Sequence, residues 1–241
     1  MTISISSGRY GTRFASSPAD VLACQRLRHL CFFDVPGVDA DAFDQVARHV
    51  MVTDQSDRLV ATMRLLDGVE GYVARFYDLS GLAALDQPML EVGRFCIAPD
   101  VLDADVLRVA WGALAGYVEA LGVQVLYGCA SFRGTDPAVY GRALTRLLRY
   151  QGPDYLRPIT RCEARALADC KSDGSGPLPP LLRTYLAMGG WVGNDLLVDH
   201  EMQTMHVFIC LEVAKIPAAR DRALRALAMD GQVGLTITQE G

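Results

Sequence analysis

A carboxylate and a guanidinium stand three residues apart in one apolar run of the sequence, at Glu91 and Arg94. The run, MLEVGRFCIA, predicts a central strand, in which side chains three positions apart point to opposite faces. Gly93 between them indicates a bulge, which would rotate one side chain toward the other. Buried charges are costly unless they are paired or take part in chemistry, so the two residues form either a structural ion pair or part of an active site.

A second group of charged residues precedes that strand and could bind a polar substrate. It comprises Arg28, Asp41, Asp44, His49 and Arg64. Ordinary surface charge is the alternative, and for His49 a hydrogen-bonded packing role is favoured. Arg64 is the least compatible with a surface role, because it lies inside the strand-like run LVATMRLL.

The segment YGCASF offers two nucleophile types, Cys129 and Ser131. No Gly-x-Ser-x-Gly elbow surrounds Ser131 and no histidine spacing marks Cys129, so these small side chains are predicted to let a ligand approach the backbone. The sequence also lacks the phosphate loop, the dinucleotide fingerprint, HExxH, and EF-hand and zinc-finger patterns. A reaction without a metal or a resident cofactor is therefore expected.

An arginine-rich segment lies between residues 133 and 165 of a chain whose net charge is −5. The overall charge argues against nucleic-acid binding. Within the segment, seven arginines oppose three acidic residues. This excess favours either a docking surface for an acidic partner or an ordinary solvated helix face. The arginines are Arg133, Arg142, Arg146, Arg149, Arg157, Arg161 and Arg165.

The elements that must position these residues follow from hydrophobic periodicity. Ser17 is a predicted N-cap, and Gly122 ends the clearest helix. Helices are predicted over residues 17–33, 103–121, 136–150, 180–189 and 216–229. Strands are predicted over residues 49–54, 58–66, 89–98, 123–132, 191–198 and 204–213. This alternation predicts a layered α/β protein.

The chain is expected to form a single domain over residues 1–241. Residues 171–180, KSDGSGPLPP, read as a linker before a C-terminal helix and strands, and residues 230–241 as a tail. Seven cysteines, without a CxxC pair, favour reduced thiols in a cytoplasmic protein over a disulfide framework. Neither a transmembrane segment nor a signal peptide is expected.

Three segments occur in an order that resembles the ornithine–acyl carrier protein N-acyltransferases of bacterial ornithine-lipid synthesis. They are EVGRFCIAPD, LYGCASFRGTDP and PPLLRTYLAMGGWVGNDLLVD. The N-terminal segments ACQRLRHLCFF, DAFDQVARHVMV and TMRLL agree, so the resemblance covers about residues 9–213. It implies a GNAT-like three-layer α/β/α fold with a mixed central sheet, splayed at its middle, where the thioester enters. Acyl-homoserine-lactone synthases are related to this family.

The resemblance implies that the charged residues form one site for acyl transfer to an amino acid, with ornithine giving lyso-ornithine lipid. Glu91 is the predicted general base and Asp44 the second choice. Arg64 or Arg94 would bind the substrate carboxylate, and Arg28 would order the acidic loop. The predicted substrate-binding residues are Arg28, Asp41, His49, Arg64, Arg94 and Ser131.

The acyl donor is expected to be acyl carrier protein, with its phosphopantetheine thioester as co-substrate. The segment IAPDVLDADVL follows the Glu91 strand and lacks the loop Arg/Gln-x-x-Gly-x-Gly/Ala, with which GNAT proteins bind coenzyme A. Arg142, Arg146 and Arg149 are predicted to dock the acidic carrier protein, where complementary charge mainly raises the rate of association.

Three alternatives stay open at this point. Residues 202–206, MQTMH, stand where the family favours Phe-Asn-Thr-x-Asp, so another amino acid could be the acceptor. A lactone synthase is the second alternative, although DVPGVDA lacks the tryptophan of that family. The third is a non-catalytic module that binds carrier protein or a membrane surface. Peripheral contact with the inner membrane is a further expectation.

Overall fold

The computed structural model describes residues 5–7 and 9–230. The predicted tail beyond residue 230 lies outside them. The helices are α1 (Pro18–Phe33), α2 (Ser80–Ala83), α3 (Ala104–Leu121), α4 (Gly141–Leu147), α5 (Pro180–Ala187) and α6 (Ala218–Asp230). The strands are β1 (Ile5–Ser7), β2 (Tyr10–Phe14), β3 (Arg48–Asp54), β4 (Leu59–Asp67), β5 (Tyr77–Asp78), β6 (Met89–Ile97), β7 (Val125–Arg133), β8 (Ile159–Thr160), β9 (Ala164–Ala166), β10 (Trp191–Asp199) and β11 (Thr204–Glu212).

Internal contacts divide the chain into two compact units. Among the described residues, the first unit contains those up to Leu66, Val92–Val123 and those from Ala218 onward. The second contains Asp67–Glu91 and Gln124–Pro217. Strand β6 therefore gives its first three residues to the second unit and the others to the first. The single-domain interpretation stays a prediction.

In the first unit, strands β1 to β4 form an antiparallel array in chain order. The register places His49 of β3 directly opposite Arg64 of β4, so both side chains lie on one face. Helix α3 packs against β1, β2 and β3, and the rings of Phe14 and Tyr117 meet edge-on at 5.5 Å. The strands predicted over residues 49–54 and 58–66 are confirmed, and they form a hairpin.

In the second unit, the start of β6 pairs with β7 in parallel register, from Met89 opposite Val125 to Glu91 opposite Tyr127. Strands β7, β11, β10 and β9 then follow in antiparallel pairs. The sheet is therefore mixed, and the predicted α/β class is confirmed. Its core includes the aromatic cluster that surrounds the fully buried Phe208.

The two clearest helix predictions are confirmed by their caps. Ser17 precedes α1, and its side chain accepts a hydrogen bond from the Asp20 N–H at 3.2 Å. Gly122 ends α3 with a φ of 63°, a left-handed conformation in which glycine is favoured. Helix α6 packs against α3.

One predicted helix, over residues 136–150, is broken in the structure. It consists of a 3-10 turn at Pro137–Tyr140, the short helix α4 and another 3-10 turn at Leu148–Tyr150. The cause is the segment predicted as a linker, which packs against this region. The Arg142 N–H donates to the Gly174 carbonyl at 3.1 Å, and a Cβ on Gly141 would lie 2.0 Å from Ser172 Oγ.

Strands β1 and β2 are absent from the sequence-based prediction, because ISS and YGTRF show no run of alternating apolar residues. Strands β5, β8 and β9 were missed because each has only two or three residues, too few to show a periodic pattern. Within the described ranges, the helices are too short or too polar to cross a bilayer.

Candidate active site

Three arginines and three aspartates meet in the first unit. The arginines come from α1, β4 and β6, and the aspartates from the segment between α1 and β3, which includes a 3-10 turn at Ala42–Gln45. The turn forms because the sequence DADAFD provides a capping box, in which the Asp41 and Asp44 carboxylates accept backbone N–H groups. The arginine–aspartate cluster consists of Arg28, Asp39, Asp41, Asp44, Arg64 and Arg94.

Asp44 is the centre of this cluster. Its Oδ1 accepts hydrogen bonds from Arg28 Nη1 and Arg64 Nη1, both at 2.9 Å. Its Oδ2 accepts from Arg28 Nη2 at 2.8 Å and from Gln25 Nε2 at 2.9 Å. Burial opposes ionisation of Asp44, but the bonds and charges of the two arginines outweigh it and hold the pKa of Asp44 well below its usual range. A carboxylate held so firmly in the charged form is a weak base, which favours a structural role over the predicted second-choice base.

Arg94 joins the cluster from a strained backbone position. Its φ is 51° inside strand β6, a left-handed conformation that costs a non-glycine residue about 1 kcal/mol. The predicted irregularity of this strand therefore falls on Arg94 and not on Gly93. Arg94 Nε donates to Asp39 Oδ2 at 3.0 Å, and its Nη2 lies 3.6 Å from Asp41 Oδ2.

Asp39 is a member of the cluster that sequence reasoning missed. Its Oδ2 lies 2.8 Å from Arg28 Nε as well as 3.0 Å from Arg94 Nε, and its carbonyl oxygen accepts from Arg28 Nη2. It therefore joins two of the arginines. The signal was present in the spacing of three acids within six residues, Asp39, Asp41 and Asp44.

His49 lies against the same turn and is 2% exposed. Its Nε2 lies 3.3 Å from the carbonyl oxygen of Asp44, where a neutral imidazole can donate. Burial lowers the pKa of His49, with the Arg28 and Arg64 charges acting in the same direction. Among the described residues its Nδ1 has no hydrogen-bond partner. The structure thus agrees with a hydrogen-bonded packing role and adds contact with the cluster.

Glu91 belongs to the second unit, where it lies at the end of the parallel β6–β7 pairing. The side chain is buried, with 1% of its surface exposed, and its Oε2 accepts the backbone N–H of Val73 at 3.0 Å. Tyr127 lies directly opposite on β7 and donates its hydroxyl to the Gly68 carbonyl at 2.7 Å. Burial, with the Glu91 charge second, raises the pKa of Tyr127, so this hydroxyl stays neutral.

Ser131 lies on the same face of β7 as Tyr127, four residues along the strand. It is exposed and stands opposite the buried His206 of β11. The ring of His206 meets that of Phe76 edge-on at 5.0 Å. Sequence reasoning named Ser131 but did not identify this neighbourhood, because the register of distant strands is not visible in the sequence.

A cavity of about 800 Å³ opens at one end of the second unit's sheet. Asp199 lines it and is buried, accepting the Tyr72 hydroxyl at 3.2 Å and the Met202 N–H at 2.9 Å. Arg75 also lines it and stacks on the rings of Tyr72 and Phe76, at 5.3 and 5.6 Å. None of these contacts is visible in the local sequence.

The arginines predicted to dock a carrier protein are all exposed. Arg142 and Arg146 lie on α4, and Arg149 lies on the 3-10 turn that follows. They alternate with the buried residues Ala143 and Leu147, so they share the solvent side of this region. Docking itself stays a prediction.

Sequence relatives place this geometry in a known family. The chain is 32% identical over 233 residues to an L-ornithine N(alpha)-acyltransferase of Rhodobacter capsulatus, covering 84% of this chain and 90% of that protein. The chain belongs to the L-ornithine N(alpha)-acyltransferase family. A Brucella abortus protein of the same name is 28% identical over 87% of each chain. Residues 28–112, which contain the whole arginine–aspartate cluster, match an acetyltransferase (GNAT) domain.

Solved structures support the fold. The chain aligns with FeeM, described as an N-acyl amino acid synthase from uncultured soil microbes, at a TM-score of 0.55 and 11% identity, over 89% of this chain and 99% of that one. It aligns with TofI in an apo form at a TM-score of 0.51 and 15% identity, over 90% and 98%. The predicted GNAT fold, family and acyltransferase class are confirmed.

Proposed function

We propose that the protein transfers a 3-hydroxyacyl chain from acyl carrier protein to the α-amino group of ornithine, giving lyso-ornithine lipid. The shared name of the curated relatives supports the ornithine acceptor. The buried carboxylate of Glu91 carries the mechanism, because a charge held inside a sheet without surface exposure needs a chemical or structural reason.

The proposed reaction is aminolysis of a thioester. The amine nitrogen attacks the carbonyl carbon, the carbon–sulfur bond breaks, and the carrier leaves as a thiol. An α-amino group has a pKa of about 8, so a substantial fraction is protonated near neutral pH and a base must remove a proton. Glu91 is the proposed base. Backbone N–H groups are proposed to stabilise the oxyanion, as in other acyl transfers.

The arginine–aspartate cluster is proposed to supply the group that binds the amino acid's carboxylate. Arg94 fits this role better than Arg28 or Arg64, since its side chain is 11% exposed and theirs are 1% exposed. A guanidinium binds a carboxylate through two parallel N–H donors, which fixes orientation as well as charge. Asp39 and Asp41 hold Arg94 in place beforehand.

A Glu91→Gln variant tests the base. It keeps the size and the hydrogen-bond acceptor that meets the Val73 N–H, so folding is expected to persist. Turnover of 3-hydroxyacyl carrier protein and ornithine should fall by about 10²- to 10⁴-fold. The matched control is Glu70→Gln, at an exposed glutamate of the same unit, which should keep full activity. Full activity of Glu91→Gln would remove this residue as the base.

The exposed arginines allow a separate test of the donor. Reversing Arg142 and Arg146 to glutamate should raise the KM for acylated carrier protein about tenfold and weaken its salt dependence. Turnover of a short-chain acyl thioester, which has no carrier protein, should not change. Reversal of Arg220 and Arg222, exposed on α6, makes the same change in charge and serves as the control. Equal losses with both donors would contradict docking at α4.

Acceptor identity is tested by incubating the enzyme with 3-hydroxyacyl carrier protein and an equimolar mixture of amino acids. Mass spectrometry should find acyl-ornithine as the main product. Acylation of another amino acid would overturn the ornithine assignment, and a lactone would indicate the homoserine-lactone reaction. No product with any acceptor would favour a non-catalytic binding module. Peripheral membrane contact stays a prediction.

A further inference from the structure

Two cysteines lie beside the arginine–aspartate cluster in the first unit. Cys31 is on α1, three residues after Arg28, and Cys96 is on β6, two residues after Arg94. Neither cysteine forms a disulfide in the structure. We propose that Cys31 and Cys96 are a site of reversible oxidation, forming a disulfide when the protein meets a hydroperoxide.

Cys31 packs against the small apolar cluster that contains Cys96. A hydrogen bond with the Cys31 thiol, together with burial, raises the pKa of Cys96 well above its ordinary value. The Cys31 thiol also donates to the Ile97 carbonyl oxygen at 3.3 Å. A disulfide requires two cysteine side chains that face each other at short range.

The surroundings assign different roles to the two thiols. Cys96 is 8% exposed and packs with Leu27 and Ala98 in a small apolar cluster. Cys31 packs against this cluster from its edge and is half-buried, so a small oxidant can reach it. Cys31 is therefore the thiol that reacts with the oxidant. Cys96 is the thiol that then forms the disulfide with the oxidised Cys31.

The chemistry balances in two steps. The Cys31 thiolate attacks hydrogen peroxide, the oxygen–oxygen bond breaks, one water leaves, and Cys31 becomes a sulfenic acid. The Cys96 thiol then attacks that sulfur, a second water leaves, and the sulfur–sulfur bond forms. The two thiols together lose two electrons and two protons, and the peroxide is reduced to two waters.

The disulfide would alter the neighbouring cluster. The bond would fix the sulfurs about 2.05 Å apart and so tie the end of α1 to strand β6. These two elements also carry Arg28 and Arg94, whose Nε atoms lie 2.8 and 3.0 Å from the same Asp39 oxygen. Transfer activity should therefore fall on oxidation.

The site is tested on the full chain by exposure to hydrogen peroxide, alkylation of the remaining thiols and tryptic digestion. Cleavage after Arg28 and Arg94 places Cys31 in the peptide 29–48 and Cys96 in the peptide 95–108, each with one cysteine. The expected product is these two peptides joined, with a mass lower by two hydrogens and reversed by dithiothreitol. Alkylation of both cysteines, over-oxidation of Cys31 alone, or a link from either to another cysteine would overturn the proposal.

Variants connect the bond with activity. Oxidised wild type should transfer acyl groups about tenfold more slowly than reduced protein and recover with dithiothreitol. Cys31→Ser and Cys96→Ser should give no joined peptide and keep their activity, whereas Cys162→Ser, at an exposed cysteine, should behave as wild type. The joined peptide with undiminished activity would refute control of the enzyme by this bond. Peptide mapping does not depend on the acyl-transfer assignment, so it can fail or succeed independently of the proposed function.

Discussion

Buried carboxylates have different hydrogen-bond partners in two regions of the molecule. These regions are the arginine–aspartate cluster of the first unit and the surroundings of Glu91 in the second. In the cluster, Asp44 receives bonds from two guanidiniums and its pKa is held low. Glu91 instead receives a backbone N–H and lies opposite a tyrosine whose hydroxyl is bonded elsewhere. The first arrangement stabilises a fixed geometry, because opposite charges compensate one another. In the second, the carboxylate of the proposed base is buried within a sheet and accepts a backbone N–H.

The largest expected effect comes from breaking the cluster at its centre. Asp44→Asn leaves Arg28 and Arg64 buried with less compensating charge, so the free energy of unfolding should fall by about 3–5 kcal/mol. Urea denaturation followed by circular dichroism measures it. Asp100→Asn, which breaks an exposed pair with Arg58, should leave the unfolding midpoint unchanged. A similar small change for both variants would show that the cluster does not stabilise the fold.

The dependence of stability on pH distinguishes the contribution of His49 from that of Asp44. The folded-state pKa of His49 is lowered, so the unfolded chain binds a proton more readily, and stability should decline as the pH falls below about 6.5. Asp44 also has a lowered folded-state pKa, so its contribution is lost only below about pH 4.

The His49→Gln variant tests this separation, because glutamine can still donate to the Asp44 carbonyl but does not titrate. Denaturation midpoints should show that the variant lacks the decline just below pH 6.5 and keeps the one at lower pH. A wild-type curve that is flat between pH 5 and 7 would contradict the lowered pKa of His49.

A smaller effect is expected in the second unit. Tyr127→Phe removes the hydroxyl that donates to the Gly68 carbonyl and keeps the ring, so it should lower the free energy of unfolding by about 1 kcal/mol. Tyr155→Phe, at a residue that is 73% exposed, is the matched control and should be neutral. Thermal unfolding of both variants measures the difference. If Tyr127→Phe lowered the free energy of unfolding as much as Asp44→Asn, the two regions would not differ in their contribution to stability.

Most of the cluster could be predicted from the sequence because charged residues inside apolar runs are visible there. Arg64 within LVATMRLL is one example, and Arg94 within MLEVGRFCIA is another. Asp39 was missed although its spacing from Asp41 and Asp44 is visible, because acids at such spacing also occur in solvated loops. Its role depends on Arg28 and Arg94 arriving from two other elements.

The parts of the fold that escaped prediction depend on contacts between distant residues. The helix expected over 136–150 is shortened because the segment around Gly174 supplies hydrogen bonds to it. Hydrophobic periodicity indicates which face of an element is buried. It does not indicate which backbone groups will form hydrogen bonds with another segment. The left-handed φ of Arg94 is a similar case, since its ion pairs with Asp39 and Asp41 offset the local strain.

The segment 171–179 has no regular secondary structure, yet it is closely fitted to its neighbours. A Cβ on Gly174 would lie 1.9 Å from the Ala138 carbonyl oxygen, and the Gly176 N–H donates to the Val139 carbonyl at 2.9 Å. For a protein engineer, this stretch is a poor place to splice in an epitope tag or a reporter domain, however much its composition suggests a spacer. The exposed hairpin turn at Gln55–Ser56 is the better insertion point.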